Sequence, residues 1–318
     1  MRFRTLVVSL LIAGVGLAGL TGYRERARVD QAKREAAPVG QFLQVDGKAV
    51  HVLVQGSGPD LVLIHGANGN LRDFLPQLIG PLSRSYRVIA VDRPGLGWSD
   101  SLGTAGPSVA AQAAHLRKAV AQLGVTRPIV LGHSYGGAVA LAWALQEPPA
   151  ALVLVAAVSQ PWPGTLDPWY RANETAVARA ILPRLAAAYV PQSYAVASLD
   201  GVFAPSPPPK GYADQIGMSL ILRASSLREN LAQVNALRPQ TVEMQPRYSS
   251  LDLPVDLIHG DADTIVPLDV HSRPLSQMIP KAQLTVLAGA GHMPHHTHVP
   301  QILAAIDRAA RKAGLRSP

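Results

Sequence analysis

The sequence predicts an α/β fold with a mostly parallel eight-stranded sheet flanked by helices, a helical cap insertion and an N-terminal transmembrane helix. Three observations predict it. Short apolar runs alternate with stretches of helical length and period. About a hundred residues of mainly helical pattern separate two of these runs, far more than one crossover needs. Near the N-terminus, 19 consecutive residues carry no charge.

The uncharged run lies between Arg4 and Arg24 and predicts a membrane-spanning helix. At ~1.5 Å per residue it would reach about 28 Å, close to the hydrocarbon thickness of a bilayer. A cleaved signal peptide is the alternative, but no convincing Ala-x-Ala site follows and the run is long for that role. A buried core helix is disfavoured because the run is apolar on every face. We therefore expect residues 1–23 to be an anchor, with the signal peptide left open.

Charges on both sides of the run give conflicting signals about its orientation. Arg2 and Arg4 favour a cytoplasmic N-terminus, whereas the basic residues after position 23 favour the opposite topology. We expect a single-pass signal-anchor with the folded domain on the non-cytoplasmic side. Residues 24–38 are polar and helix-prone up to Pro38, so they are interpreted as a juxtamembrane stalk.

The globular core is predicted to begin at residue 39. Residues 42–54 alternate in polarity around Asp46-Gly47, a strong hairpin signal. Six apolar runs then follow as predicted parallel strands, and the last helix is predicted from about Val299 to Lys312. The six runs are LVLI at 61–64, YRVIAV at 86–91, PIVL at 128–131, ALVLVAA at 151–157, VDLI at 255–258 and QLTVL at 283–287.

The long stretch between the fourth and fifth of these runs predicts a mostly helical cap over the carboxyl ends of the strands. Its bounds are taken as 159–250, which divides the core into residues 39–158 and 251–318. The segment PSPPP at 205–209 fits neither a regular helix nor a central strand. A cap in this place would shape a substrate pocket and exclude water from it.

The pentapeptide Gly132-His133-Ser134-Tyr135-Gly136 stands directly after the strand PIVL and directly before a helical pattern. A tight turn there would hold Ser134 in a strained conformation at a helix N-terminus, where the helix dipole favours a developing negative charge. A glycine-rich turn with serine as a simple helix cap is the alternative interpretation. The predicted partners of Ser134 favour a role as nucleophile over a role as helix cap.

A serine hydroxyl needs a base within hydrogen-bonding reach and an acid that orients the base. His292 follows the last predicted strand and is expected at the same sheet edge as Ser134. The loop after the preceding strand offers Asp261 and Asp263. Asp263 is the preferred acid, since Asp261 stands immediately after the strand and is expected to brace the turn.

The order Ser134, Asp263, His292 resembles the α/β-hydrolase family, and the resemblance covers about residues 40–315. It implies that the backbone N–H groups of Ala67 and Tyr135 form the oxyanion hole. The turn Asp92 to Ser99 looks like the family's structural D-x-P-G-x-G-x-S motif. Esterases, C–C bond hydrolases and cofactor-free haloperoxidases are the most similar by motif. Serine at position 134 argues against the aspartate-nucleophile epoxide hydrolases and haloalkane dehalogenases.

Charge and composition restrict the partners. The formal charge is +8, but seven basic and three acidic residues lie within the first 36 positions, beside the apolar run. No basic stripe with interleaved aromatics follows, which disfavours nucleic acid and leaves a membrane surface as the charged partner. The chain contains no cysteine, which excludes disulfides, thiolate nucleophiles and Cys-ligated metals. The oligomeric state is left open.

Three further groups of residues are weighed as sites. The first is a cluster of four histidines: His292, His295, His296 and His298. Imidazoles at this spacing can hold a metal ion, but His292 cannot serve both as base and as metal ligand, and the other three are expected to be solvated at the pocket rim. No metal site is therefore predicted. His65 and His133 are expected to orient backbone groups through hydrogen bonds. Aromatic residues of the cap would line the pocket or pack inside the cap: Trp162, Trp169, Tyr170 and Phe203.

These signals predict a serine hydrolase that cleaves a small-molecule ester or related acyl bond through an acyl-enzyme, without a cofactor. Lyase, acyltransferase or cofactor-free haloperoxidase chemistry on the same triad is one alternative. A non-catalytic binding module is the other, although such modules usually lack a complete triad.

Overall fold

The computed structural model describes residues 2–173 and 175–317 and contains one eight-stranded sheet. The strands, in chain order, are β1 Gln41–Val45, β2 Lys48–Gln55, β3 Asp60–Ile64, β4 Arg87–Val91, β5 Ile129–His133, β6 Ala151–Val155, β7 Val255–Gly260 and β8 Ala282–Leu287.

The sheet order is β1-β2-β4-β3-β5-β6-β7-β8. Strand β2 pairs antiparallel with both β1 and β4, and all pairs from β4 to β8 are parallel. Asp46 and Gly47 both have positive φ, as the two-residue turn of a β1–β2 hairpin requires. The prediction of a mostly parallel eight-stranded sheet with a leading hairpin is confirmed.

Helices and short helical turns cover the sheet. The helices outside the insertion are α1 Arg2–Glu35, α2 Gly80–Leu82, α3 Val109–Ala121, α4 Tyr135–Gln146, α13 Ser272–Met278, α14 Pro294–Thr297 and α15 Val299–Lys312, with α15 at its predicted bounds. Within the insertion they are α5 Pro168–Arg171, α6 Ala176–Tyr189, α7 Gln192–Ala197, α8 Leu199–Phe203, α9 Tyr212–Gln215, α10 Met218–Ile221, α11 Ala224–Asn235 and α12 Leu237–Met244. The remaining turns are 3₁₀ helices at Leu71–Phe74, Gly103–Ala105 and Gln245–Ser250, and a π turn at Leu75–Ile79.

The central strands are buried on both faces, so alternate side chains of one strand enter two different cores. On β3, Val62 and Ile64 pack with α3 and α4, whereas Leu61 and Leu63 pack with Phe74 and α15. Continuous apolar runs in the sequence are the expected result of this double burial.

The insertion between β6 and β7 is helical wherever it is regular, and it holds a small apolar core of its own. Phe203, Tyr212 and Leu227 are buried at its centre. Thr175 caps α6 by accepting a hydrogen bond from the N–H of Ala178. The insertion therefore forms a packed cap, while its bounds at 159 and 250 remain a prediction.

Helix α1 runs without a break from Arg2 to Glu35, through the predicted span and most of the predicted stalk. Its N-terminal part is long and apolar enough to cross a membrane, a test that signal sequences also pass. The stretch beyond residue 20 is packed against the cap: Thr21, Ala32 and Ala36 are buried. Arg28 donates hydrogen bonds to the carbonyls of Ala187 and Val190. The segment interpreted as a stalk thus also has a packing role, because its helical faces find apolar and carbonyl partners on the cap.

Candidate active site

Ser134 lies in the turn between β5 and α4 with φ 53° and ψ −120°, a backbone conformation that residues other than glycine rarely adopt. The flanking glycines are required by close backbone contacts. A Cβ on Gly132 would lie 2.4 Å from the carbonyl oxygen of Gly136, and one on Gly136 would lie 2.2 Å from that of Ile64. The turn therefore holds the Ser134 hydroxyl at the carboxyl edge of the sheet.

The structure brings the three predicted catalytic residues together at this edge. The Ser134 Oγ lies 3.0 Å from Nε2 of His292, and Nδ1 of His292 lies 2.8 Å from Oδ2 of Asp263. These residues follow β5, β8 and β7, respectively, and all three are buried. With Nδ1–H donated to the carboxylate, Nε2 is left as the acceptor for the serine hydroxyl.

Asp263 is held in place from several directions. Its Oδ1 accepts hydrogen bonds from the N–H groups of Ile265 and Val266, both at 2.9 Å. Burial alone would raise the pKa of Asp263, but hydrogen bonds from His259 and His292 outweigh it and hold the pKa below its ordinary value. Asp261 instead accepts from the N–H of Gly289 at 2.7 Å, away from His292.

His259 is a second imidazole on Asp263 that the sequence analysis did not identify. Its Nε2 lies 2.7 Å from the carbonyl oxygen of Val266, which fixes the hydrogen on Nε2, and 3.2 Å from Oδ2 of Asp263. Nδ1 then accepts from the Ser272 hydroxyl at 2.7 Å. A histidine near the end of a strand, four residues before the acid, was the available signal in the sequence.

The loop His65-Gly66-Ala67, which holds one of the two predicted oxyanion-hole N–H groups, follows β3 and is held in place by Arg93. The Arg93 guanidinium donates to the carbonyls of His65 and Gly66 at 3.0 Å each and stacks on the Tyr135 ring at 4.1 Å. Burial lowers the pKa of Arg93 to about 10. His65 donates to Gly66 and accepts from the N–H of Arg93, as expected for a residue that orients backbone. Its burial lowers its pKa to about 4. The roles of Ala67 and Tyr135 remain predictions.

A cap residue reaches the same loop. Asn68, with φ 50°, directly follows Ala67, and its N–H donates to Oδ1 of Asn230 on α11 at 2.7 Å. The Tyr170 hydroxyl lies 3.3 Å and 3.4 Å from the amide nitrogens of Asn68 and Asn230. The cap thereby fixes the backbone beside the predicted oxyanion hole. No local sequence pattern marks Asn230, which lies 162 residues from its partner.

Asp73 accepts hydrogen bonds from two histidines that were expected to be solvated. His295 and His296 are buried and donate from Nε2 to the two oxygens of Asp73 at 2.9 Å and 2.8 Å. The Tyr212 hydroxyl also donates to Asp73, at 2.7 Å. The expectation of solvated rim histidines was wrong for this pair, because the chain after β3 folds back under α14 and brings a carboxylate to them.

This cluster contains donors of metal-ligating type. Oxygen or nitrogen atoms of Asp73, His133 and His295 lie within 4.8 Å of one another. Hydrogen bonds account for most of the contacts, since His133 also donates from Nε2 to the carbonyl of His292 at 3.0 Å. That bond matches the expectation that His133 orients backbone. The His133 and His295 rings lie with centroids 4.2 Å apart and their planes tilted by 52°, so the two imidazoles also contact one another.

A comparison with protein families identifies the family of this chain. Residues 61–306 match the model of the alpha/beta hydrolase family. The chain belongs to the α/β-hydrolase family. The predicted resemblance is confirmed over these residues.

Several relatives of this α/β hydrolase are known proteins. It is similar to a polyketide synthase of Burkholderia thailandensis, with 31% identity over 96% of this chain but only 15% of the synthase. It is also similar to a pimeloyl-[acyl-carrier protein] methyl ester esterase of Nitrosomonas europaea, with 27% identity over 81% of this chain and 98% of the esterase. A crystal structure of an esterase from a Rhodococcus species is 26% identical and covers 86% of this chain and 99% of its own, with a TM-score of 0.63. The family membership and these esterase relatives support a hydrolase.

A cavity of about 460 Å³ reaches Ser134 and His292 from the cap side of this α/β hydrolase. Its walls are mainly apolar, with Met218 and Leu227 from the cap. Three of the four cap aromatics take one of the two expected roles, and Trp162 takes neither. Trp169 and Tyr170 line the cavity, whereas Trp162 packs against the main core and Phe203 is buried in the core of the cap.

Proposed function

We propose that the chain is a membrane-tethered serine esterase that cleaves a carboxylic ester of a small acyl substrate through an acyl-enzyme. The observation that carries this proposal is the hydrogen-bonded series Ser134, His292 and Asp263, with the serine on a strained turn inside an apolar cavity. Similarity to esterases over most of the chain supports an ester as the bond that is cleaved.

In the first half-reaction, Ser134 Oγ attacks the ester carbonyl while its proton passes to Nε2 of His292. Asp263 stabilises the imidazolium that forms, without taking its proton. The carbonyl oxygen becomes negative as the tetrahedral intermediate forms. The N–H groups of Ala67 and Tyr135, the latter at the N-terminus of α4, would donate hydrogen bonds to it.

Collapse of the intermediate breaks the bond to the alcohol oxygen, which leaves with the proton held by His292. Water then attacks the acyl-enzyme as His292 takes one of its protons, and the carboxylic acid is released when the proton returns to Ser134 Oγ. Every proton passes through Nε2 of His292, so the sequence of steps requires no cofactor.

The tether is proposed to be α1 as an uncleaved anchor, with the catalytic domain on the non-cytoplasmic side. The helix is continuous through the region where a signal peptide would be cut, and Thr21 lies 3.0 Å from the hydroxyl of Tyr189 on the cap. Carbonate extraction of membranes and the mass of the mature chain test this: a soluble protein that lacks residues 1–23 would contradict it.

A fluorophosphonate probe tests the enzyme assignment, because only an activated serine reacts with it. We expect the wild-type chain to be labelled and Ser134→Ala to lose labelling and ester hydrolysis. Ser198 also lines the cavity, and its hydroxyl donates to the carbonyl of Ala195. Ser198→Ala is the matched control and should remain labelled. Labelling that survives Ser134→Ala would refute the proposed nucleophile.

A further inference from the structure

Helix α6 of the cap presents an apolar ridge to the outside. Val177, Ile181 and Leu185 follow one another at four-residue intervals on one face and are 68%, 46% and 36% exposed. Ala176 and Ala180 on the same side are also exposed. A single exposed apolar residue is ordinary, but a row along a whole helix indicates a surface with a partner. We call Val177, Ile181 and Leu185 the cap ridge.

The cap ridge lies beside α1 at the level where the proposed span ends. Arg184, next to Leu185, contacts both carboxylate oxygens of Glu25 at 2.9 Å and 3.1 Å. Glu25 follows the last residue of the uncharged run, Tyr23, by two positions, or about 3 Å of helix. The Tyr189 hydroxyl, at the end of α6, reaches Thr21 inside the run itself. If α1 spans a bilayer, α6 must therefore lie at its surface.

The same part of the cap forms a wall of the substrate cavity. Ala186, Val190 and Tyr194 line the cavity, and the carbonyl of Val190 accepts a hydrogen bond from Arg28 of α1. Tyr194 is 73% exposed. An amphipathic tyrosine in this position is typical of the interface between water and lipid. One short stretch of the cap thus adjoins the cavity, the anchor and the exterior.

Charges in this region complement an anionic lipid surface. Residues 174–200 of the cap carry Arg179 and Arg184 against Glu174 and Asp200, so the basic excess of the region comes from α1. The adjoining part of α1, residues 24–34, carries five basic and two acidic residues. Basic side chains beside a membrane span attract anionic headgroups, and their aliphatic parts tolerate the interface.

From these observations we infer that the cap ridge is a bilayer-docking surface, which seats the cap in the headgroup region of an anionic membrane beside α1. The inference rests on the proposed anchor and extends the proposed esterase. It places the cavity wall formed by Ala186, Val190 and Tyr194 against lipid, so the substrate class is a long-chain acyl ester taken from the membrane rather than from water.

A depth measurement on the full-length chain in vesicles tests the docking directly. The chain contains no cysteine, so Ile181→Cys supplies a single thiol for an environment-sensitive fluorophore. Val242→Cys is the matched control: Val242 is 52% exposed on α12, a helix that packs on α11 and on residues 245–250. The vesicles contain phosphatidylcholine and phosphatidylglycerol. The quenchers are a nitroxide on a lipid acyl chain and iodide in the water.

We expect lipid nitroxide to quench the label at 181 more strongly than iodide does, and the reverse at 242. Equal iodide quenching at both positions would overturn the inference, because the ridge would then face water. Protection of position 181 from both quenchers, relieved by diluting the protein in lipid, would assign the ridge to a second copy of the chain and would also overturn it.

Activity provides a second test. The double variant V177D/I181D would place two charges at the interface, and each charge would weaken membrane binding by up to about fivefold. This variant should therefore hydrolyse a long-chain ester in vesicles about tenfold more slowly, with a water-soluble short-chain ester unaffected. V242D should leave both rates unchanged. Equal loss on both esters, or no loss on either, would contradict the inference. If the esterase proposal itself fails, neither ester is hydrolysed by the wild-type chain, while the quenching result still stands.

Discussion

Two histidines and two backbone N–H groups converge on Asp263, so its carboxylate is more than a distant orienting charge. Asp263→Asn should leave the fold intact but remove the acceptor that keeps Nδ1 of His292 protonated, so the base presents the wrong tautomer to Ser134. We expect kcat to fall by about 10³ to 10⁴-fold. Steady-state kinetics on a soluble ester measure this. Asp261→Asn is the control and should stay near the wild-type rate, because among the described residues the Asp261 carboxylate accepts a hydrogen bond from the N–H of Gly289 and none from His292.

Asp73 gives a prediction about acid stability. Burial opposes its ionisation, but its interactions with His295 and His296 outweigh burial and hold its pKa well below the ordinary value. A carboxyl group whose pKa is lower in the folded than in the unfolded chain stabilises the fold above its unfolded pKa, near 4, and loses that contribution as pH falls.

Asp73→Asn should accordingly lower the free energy of unfolding at neutral pH by roughly 2 kcal/mol. The gap from the wild-type chain should narrow as the pH falls below about 5 and close only when the pH is below the lowered pKa of folded Asp73. Thermal unfolding followed across pH tests this. Asp200→Asn removes an exposed carboxylate of α8 and should give a curve parallel to wild type. A gap that widens in acid would refute the argument.

At the scale of secondary-structure elements, α11 contributes to the site without carrying a predicted catalytic group. Asn230→Ala removes the acceptor for the N–H of Asn68 and should loosen the loop that holds Ala67. We expect kcat to fall about tenfold with little change in KM, since the contact positions a group that acts in the transition state. Asn235→Ala, which removes a bond from the same helix to the carbonyl of Tyr170, is the matched control. Equal effects of both variants would indicate a general loss of cap stability instead.

Elements with strong local signals were predictable, and contacts between distant elements were not. The Asp46-Gly47 turn, the buried strands and helix α15 follow from patterns within a few residues. The strained turn at Ser134 was predictable because the turn itself requires the flanking glycines. Asp73, Asn230 and His259 were missed because each acquires its role through a partner that only the folded chain brings near. The polar sequence of residues 24–38 likewise concealed a helix face that packs on the cap.

For the molecule as a whole, α1 predicts that membrane attachment and stability are separable. Deleting residues 2–20 removes the exposed part of α1 and leaves the part that packs on the cap. This variant should become soluble, unfold at the wild-type temperature and keep its activity on a soluble ester. Deleting residues 2–37 also removes Ala32, Ala36 and the bonds of Arg28, and exposes Leu220. Its unfolding temperature should fall by several degrees, because its free energy of unfolding should be lower by about 2 kcal/mol or more.

Thermal unfolding and carbonate extraction of both truncations separate the two effects. Equal unfolding temperatures for the two truncations would mean that the packing of α1 on the cap contributes nothing. Loss of stability in the shorter truncation would instead place structural contacts within residues 2–20.

The bond between Asn68 and Asn230 has a consequence for anyone who would redesign this scaffold. Grafting a foreign cap to alter selectivity would also replace Asn230, whose side-chain amide accepts a hydrogen bond from the loop next to Ala67. A chimera lacking a hydrogen-bond acceptor at that spot should bind its new ligand and turn it over slowly. Restoring one asparagine, rather than reshaping the cavity, would then be the first repair to attempt.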